Sequence, residues 1–261
     1  MKAGASHPPP RLARVARRAL LLIACFTLGG CASTPGAPAP QPPADAPREI
    51  FPHVRFDKDA RVVEFDAAVS VDCHQPTTPR VYLESVACTP DSREYESLIV
   101  SSALPSHVHA ALLLAGFAPG EPGAIGVRDG TVRALAPRGD PVSVTLVWRD
   151  AGGNDHETDP LDWILDLSTG AHLRGGEHTP AWVFAGSRIV PFGGSDRYEA
   201  DLTGSLIGLT TFGSETIAFT RVLSPEASVQ EPEWIADISR VPKIGTPVMV
   251  RIRGSVSRTG D

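Results

Sequence analysis

Beyond residue 48 the chain breaks into short strand-like segments, and this constrains the fold more than any other feature. Arg61–Val71, Val81–Cys88 and Tyr95–Ser101 are brief, partly alternating and rich in β-branched or aromatic residues, the mark of half-buried strands. Val142–Trp148, Trp182–Phe184, Leu206–Thr210, Ile217–Arg221 and Val248–Arg253 continue the pattern. Pro90-Asp91-Ser92-Arg93 reads as a turn joining its two neighbours as a hairpin. The clearest helix is Ser106–Ala115, with Ser106 as N-cap, Gly116 just past the end and Pro119 forbidding continuation. Val108 and Ala110–Ala115 make it apolar nearly all round, which predicts burial on every side, Leu113 included. Asp159-Pro160 starts a second, one- or two-turn helix before Trp163–Leu167. The expected fold class is therefore α+β: one domain over residues 49–256, mainly antiparallel, with a short buried helix at about 106–115 and few others.

The N-terminus has a different character. Lys2, Arg11, Arg14, Arg17 and Arg18 precede the apolar run Ala19–Leu28, whose ten residues fall short of the roughly 20 needed to span a bilayer. Leu28-Gly29-Gly30-Cys31 follows. Small residues before a cysteine suit a lipoprotein signal peptidase, with the Cys31 thiol as acceptor of the lipid. Residues 1–30 thus read as an export signal and Cys31 as the mature, lipidated (palmitate-bearing) end. Residues 31–48 form a tether, with Pro35, Pro38, Pro40, Pro42, Pro43 and Pro47 among small residues. In polyproline II, at ~3.1 Å per residue, it reaches at most roughly 50 Å from a membrane. Residues 257–261 read as a flexible end. Ala32 lacks the aspartate that retains enteric lipoproteins at the inner membrane, so the outer membrane of a bacterial envelope, on its periplasmic face, is favoured.

Charge narrows the partners. Loss of residues 1–30 removes five cations and no anions, taking the formal charge from −6 to −11. An acidic surface argues against nucleic acid and against a polybasic grip on lipid. Expected partners are the membrane, through the N-terminal lipid, and an envelope protein or small ligand. No cofactor or metal is expected, because the candidate ligands do not converge. His107 and His109 point about 200° apart on a helix. Neither Cys73-His74 nor Asp155-His156-Glu157, read as a solvated loop, has the spacing of a zinc or calcium site. No Gly-x-Ser-x-Gly, His-Glu-x-x-His, Cys-x-x-Cys or P-loop occurs. Cys73 and Cys88 are a possible disulfide in an oxidising compartment. A regular hairpin through Pro76–Pro79, however, would hold them about 20 Å apart, far beyond the ~7 Å a bridge tolerates.

Val108-His-Ala-Ala-Leu-Leu-Leu-Ala-Gly116 with Pro119-Gly120-Glu-Pro122 resembles the YdjY-domain family of bacterial exported proteins and lipoproteins. Leu83-Glu84 through Cys88, Arg93–Ser97, Trp182–Ser187, Tyr198-x-Ala-Asp201, Gly204-x-Leu-Ile207 and Pro242…Gly245-Thr-x-Val248 match further blocks in order, over roughly residues 60–253. The resemblance marks Glu84, Glu96, His109, Ser187 and Tyr198 as candidate ligand-contacting residues, with a hydrogen-bonded structural histidine the favoured reading of His109 and a ligand or base the alternative. Tyr95 stands where the family motif has histidine, and ordinary strand packing would put Tyr95 and Ser97 on one face with Glu96 on the other. Electron transport, a label carried by some members, needs more than the two cysteines left after lipidation if an iron–sulfur cluster is meant. A non-catalytic binding or accessory module is the favoured function. A metal- or redox-linked accessory is the alternative, and a hydrolase comes third. No catalytic residue is assigned.

Overall fold

The computed structural model describes residues 46–78, 80–129, 131–175 and 181–255, all within one unit spanning Pro43–Asp261. The segment expected to be an export signal, with Leu28, Gly29, Gly30 and Cys31, the expected tether up to residue 45 and the segment 257–261 lie outside the described residues.

Eight strands close into a barrel: β1 (Val62–Val69), β2 (Ser85–Cys88), β3 (Ser97–Val100), β4 (Pro141–Arg149), β5 (Trp182–Val183), β6 (Ser205–Gly208), β7 (Ile217–Phe219) and β8 (Pro247–Gly254). Around the barrel the order is β1-β8-β4-β5-β7-β6-β2-β3 and back to β1. Closure depends on β1 changing partner part-way. Val62–Phe65 pairs with Val54–Asp57 of an N-terminal hairpin, whereas Ala68 and Val69 pair with Val100 and Ile99 of β3. The Ser101 hydroxyl donates to the Asp66 carbonyl at the changeover, 2.5 Å away. The longest wall is β8 between β1 and β4. Val144 lies opposite Ile252 and Leu146 opposite Val250, and all four are buried, as period-2 alternation requires. Trp182, Phe219 and Trp234 fill the centre, with ring centroids 5.2 and 5.5 Å apart.

This architecture corrects the α+β expectation: the protein is a β-rich closed barrel with two α-helices among its described residues, α1 (Pro105–Leu114) and α2 (Glu199–Thr203). It also corrects the hairpin expected through Pro90–Arg93. β2 and β3 run parallel, Ser85 opposite Ser97 and Cys88 opposite Val100, as do β6 and β7. Each pair is joined by only eight residues, 89–96 and 209–216. Parallel crossovers usually need a dozen or more. Here the strands are three or four residues long, so the return path is only about 10–13 Å at ~3.3 Å per residue. Glu94–Glu96 forms a 3-10 turn on this path. Tyr95, Glu96 and Ser97 therefore do not alternate across a strand as expected.

Helix α1 departs from expectation at its start and on its outer face. Pro105 takes the first helical position, so the cap falls on Leu104, not Ser106, and the Ser106 N–H is met by Asp201 Oδ1 at 2.8 Å. Its end is as read. Gly116, at φ +82°, gives N–H to Leu113 O, and Phe117 gives N–H to Leu112 O, both at 3.0 Å, the Schellman arrangement. Arg61 adds bonds from Nε and Nη2 to the Ala115 and Gly116 carbonyls. Only one face is covered: Val108, Ala111 and Leu112 are fully buried, while Leu113 is 46 % exposed. The helix lies against β1 and the N-terminal hairpin without being sheathed. Asp159 caps the 3-10 turn Pro160–Trp163 through the Leu161 N–H, as its Asp-Pro pair implies. No helix among the described residues is long and apolar enough to cross a membrane.

Candidate functional site

Three of the five candidate residues meet in one cleft of about 420 Å³. His109 enters from α1, Ser187 from the loop after β5, and Tyr198 from the end of strand Ser195–Tyr198, immediately before α2. Pro119, Gly120 and Ile189 supply much of the apolar wall. The loop can pass this close because residue 186 is glycine. Its φ is +84°, and a Cβ there would lie 2.6 Å from Pro119 Cβ. Ser187 follows at φ +51°, a conformation uncommon outside glycine.

The Tyr198 hydroxyl is the hub. It donates to the Gly186 carbonyl at 3.1 Å and lies 3.0 Å from His109 Nδ1 and 3.2 Å from Thr216 Oγ1. Assigning the phenol proton to the Gly186 carbonyl makes the phenol oxygen an acceptor for the other two, and this assignment puts the imidazole proton on Nδ1 and leaves Nε2 as an acceptor. Burial pushes the His109 pKa down, opposed by the nearby Gly186 carbonyl, and pushes that of Tyr198 up. Both groups are therefore neutral near pH 7. His107, two residues before, turns away and stacks on Phe51 at 4.6 Å.

Glu84 and Glu96 form a second cluster. The Glu84 N–H donates to the Glu96 carbonyl at 2.9 Å, and Arg93 Nε stands 3.9 Å from Glu84 Oε2. Burial, with the neighbouring Glu96 carboxyl, pushes Glu84 up to about 7. Arg93 also lies over the Phe212 ring at 4.0 Å. Tyr95 points into solvent, and Ser97 is buried with its hydroxyl on the Arg93 carbonyl.

The remaining polar candidates scatter. Cys73 and Cys88 are free thiols, and burial raises the Cys73 pKa. Asp155-His156-Glu157 is not a loop but part of strand Asp155–Thr158 on the edge of β4. Alternation there sends Asp155 to Arg149, His156 to Asp150 and Trp148, and Glu157 to Arg251. Among the described residues no three His, Cys, Asp or Glu side chains are placed to hold a metal.

Sequence reading missed the groups that set the charge of the cleft. Arg188, on its rim, gives Nε and Nη2 to the two oxygens of Glu199 at 2.8 and 3.2 Å. Glu215 is 1 % exposed. Its Oε1 accepts from the Phe212 and Gly213 N–H groups, and its Oε2 has no partner among the described residues. Gly213-Ser214-Glu215 reads as an ordinary turn, and a separation of eleven residues gives Arg188 and Glu199 no local signal of pairing.

The YdjY domain model matches residues 54–253, which include both clusters and all of the barrel but Gly254 at the end of β8. No curated protein and no solved structure matches the chain. The agreement of the family model over most of the chain identifies it as a member of the YdjY-domain family.

Proposed function

We propose that this chain is a lipid-anchored protein of the bacterial envelope whose YdjY domain is a non-catalytic binding module, its ligand taken in the His109–Tyr198 cleft. The observation that carries the binding reading is convergence: residues 109, 187 and 198, from separate elements, line one largely apolar cleft with a few fixed polar groups. Small-ligand sites have that make-up and fall in that size range. Catalysis is not supported by the same geometry. Ser187 Oγ already accepts the Ala200 N–H, and a tyrosine held neutral by burial is no base for it. The anchoring part rests on Leu28-Gly29-Gly30-Cys31.

Each part has its own test. Radiolabelled palmitate should enter the wild-type protein and not Cys31→Ser, and label in the variant would remove the anchor. For the cleft, benzyl alcohol titrated into the full chain in lipid nanodiscs should shift the His109 Cε1 proton saturably. Ser106→Phe, which fills the cleft, should abolish that response. A linear response, or one unchanged by Ser106→Phe, would refute the binding reading.

A further inference from the structure

We infer that the ligand of this cleft is uncharged and carries a hydrogen-bond donor on an apolar body. The inference rests on the cleft being a binding site and goes beyond it by naming the ligand class.

Charge accounting carries it. Arg188 is the one cation lining the cleft among the described residues, and two of its N–H groups are bound by Glu199. A carboxylate or phosphate would find no uncommitted positive charge, and an ion desolvated without a partner is penalised heavily. Nor is a free anion offered to a cation. Glu199 is held by Arg188. Asp201 accepts the Ser106 N–H at 2.8 Å, where it compensates the positive end of α1. Tyr198 spends its proton on Gly186. What remains, in the tautomer assigned from the Tyr198 hydrogen bonds, is the acceptor Nε2 of neutral His109, in a cleft lined by Pro119, Gly120 and Ile189. An alcohol, phenol or amide N–H answers that chemistry.

Three matched probes test this on the full chain in nanodiscs, with empty nanodiscs as control: benzyl alcohol, benzoate and benzylammonium. Selectively labelled His109 is read by NMR at pH 7.5. Benzyl alcohol should bind at least about tenfold more tightly than either ion, a factor equivalent to one lost charge-pairing of modest strength. Glu199→Gln frees Arg188, so it should raise benzoate affinity by about tenfold while leaving benzyl alcohol within about twofold. If either ion binds as tightly as the alcohol, or if Glu199→Gln gives benzoate no gain, the inference falls and the binding reading stands. If none of the three gives a saturable shift, both fall.

Discussion

Tyr198→Phe removes a single oxygen and tests whether the hub holds the cleft together. That oxygen has three partners: the Gly186 carbonyl at 3.1 Å, Thr216 Oγ1 at 3.2 Å and His109 Nδ1 at 3.0 Å. Thr216 is fully buried, so water cannot readily replace the lost group, whereas half-buried His109 can find some. Leaving a buried partner unsatisfied costs about 1–3 kcal/mol. Counting Gly186 and Thr216 but not His109 gives an expected loss of about 2–4 kcal/mol, with overlap between the two keeping it below the simple sum. For a domain of this size that lowers Tm by about 4–16 °C. Urea unfolding followed by tryptophan fluorescence measures it, provided the m-value is unchanged. The pH dependence gives a second reading. Burial lowers the His109 pKa from 6.5, so the unfolded chain binds the proton first as pH falls. The contribution is whole above about pH 6.5 and is lost as pH drops through the lower, folded pKa. Water admitted by Tyr198→Phe should raise that pKa and flatten the slope. A loss under about 0.5 kcal/mol with an unmoved His109 titration would show that the hydroxyl is no hub.

Leu112 and Leu113 are adjacent but differ in exposure, 0 % against 46 %. Leu112→Ala should cost about 2–5 kcal/mol and Leu113→Ala under about 1, and equal costs in denaturation would refute the one-faced packing of α1. Glu84, pushed up to about 7 from 4.5, keeps in the folded state a proton that the unfolded chain releases. Stability therefore falls as pH rises across that window. Glu84→Gln should gain on wild type between pH 4.5 and 7, and a pH-independent difference would remove the carboxyl pair as its cause. Gly186 and Gly153 have nearly the same φ, +84° and +85°, but a Cβ meets Pro119 only at the first. Gly153→Ala should cost about 1–2 kcal/mol from backbone strain, and Gly186→Ala at least about 1 more from the clash. Matched thermal unfolding separates the two.

What the sequence alone determined is what neighbours along the chain decide. Gly116 ends α1 because only a few residues away lie the carbonyls it must satisfy, and Asp159-Pro160 starts its 3-10 turn for the same local reason. Alternation in Val142–Trp148 and Val248–Arg253 already says that each strand has one buried face. Burial and meeting of distant groups depend on what the rest of the chain brings over them. Leu113 is as apolar as Leu112, and only the position of β1 beneath the helix leaves it in solvent. The short crossovers are parallel because the barrel closes through β1 and β3, a pairing that no local pattern encodes. Tyr198 reaches His109 across 89 residues, and Arg188 is neutralised by Glu199 because a hairpin folds back between them. Local chemistry sets turns and faces within a few residues. Closure of the barrel brings a histidine, a tyrosine and a neutralised arginine to one cleft, because strand pairing fixes distances that sequence separation leaves free.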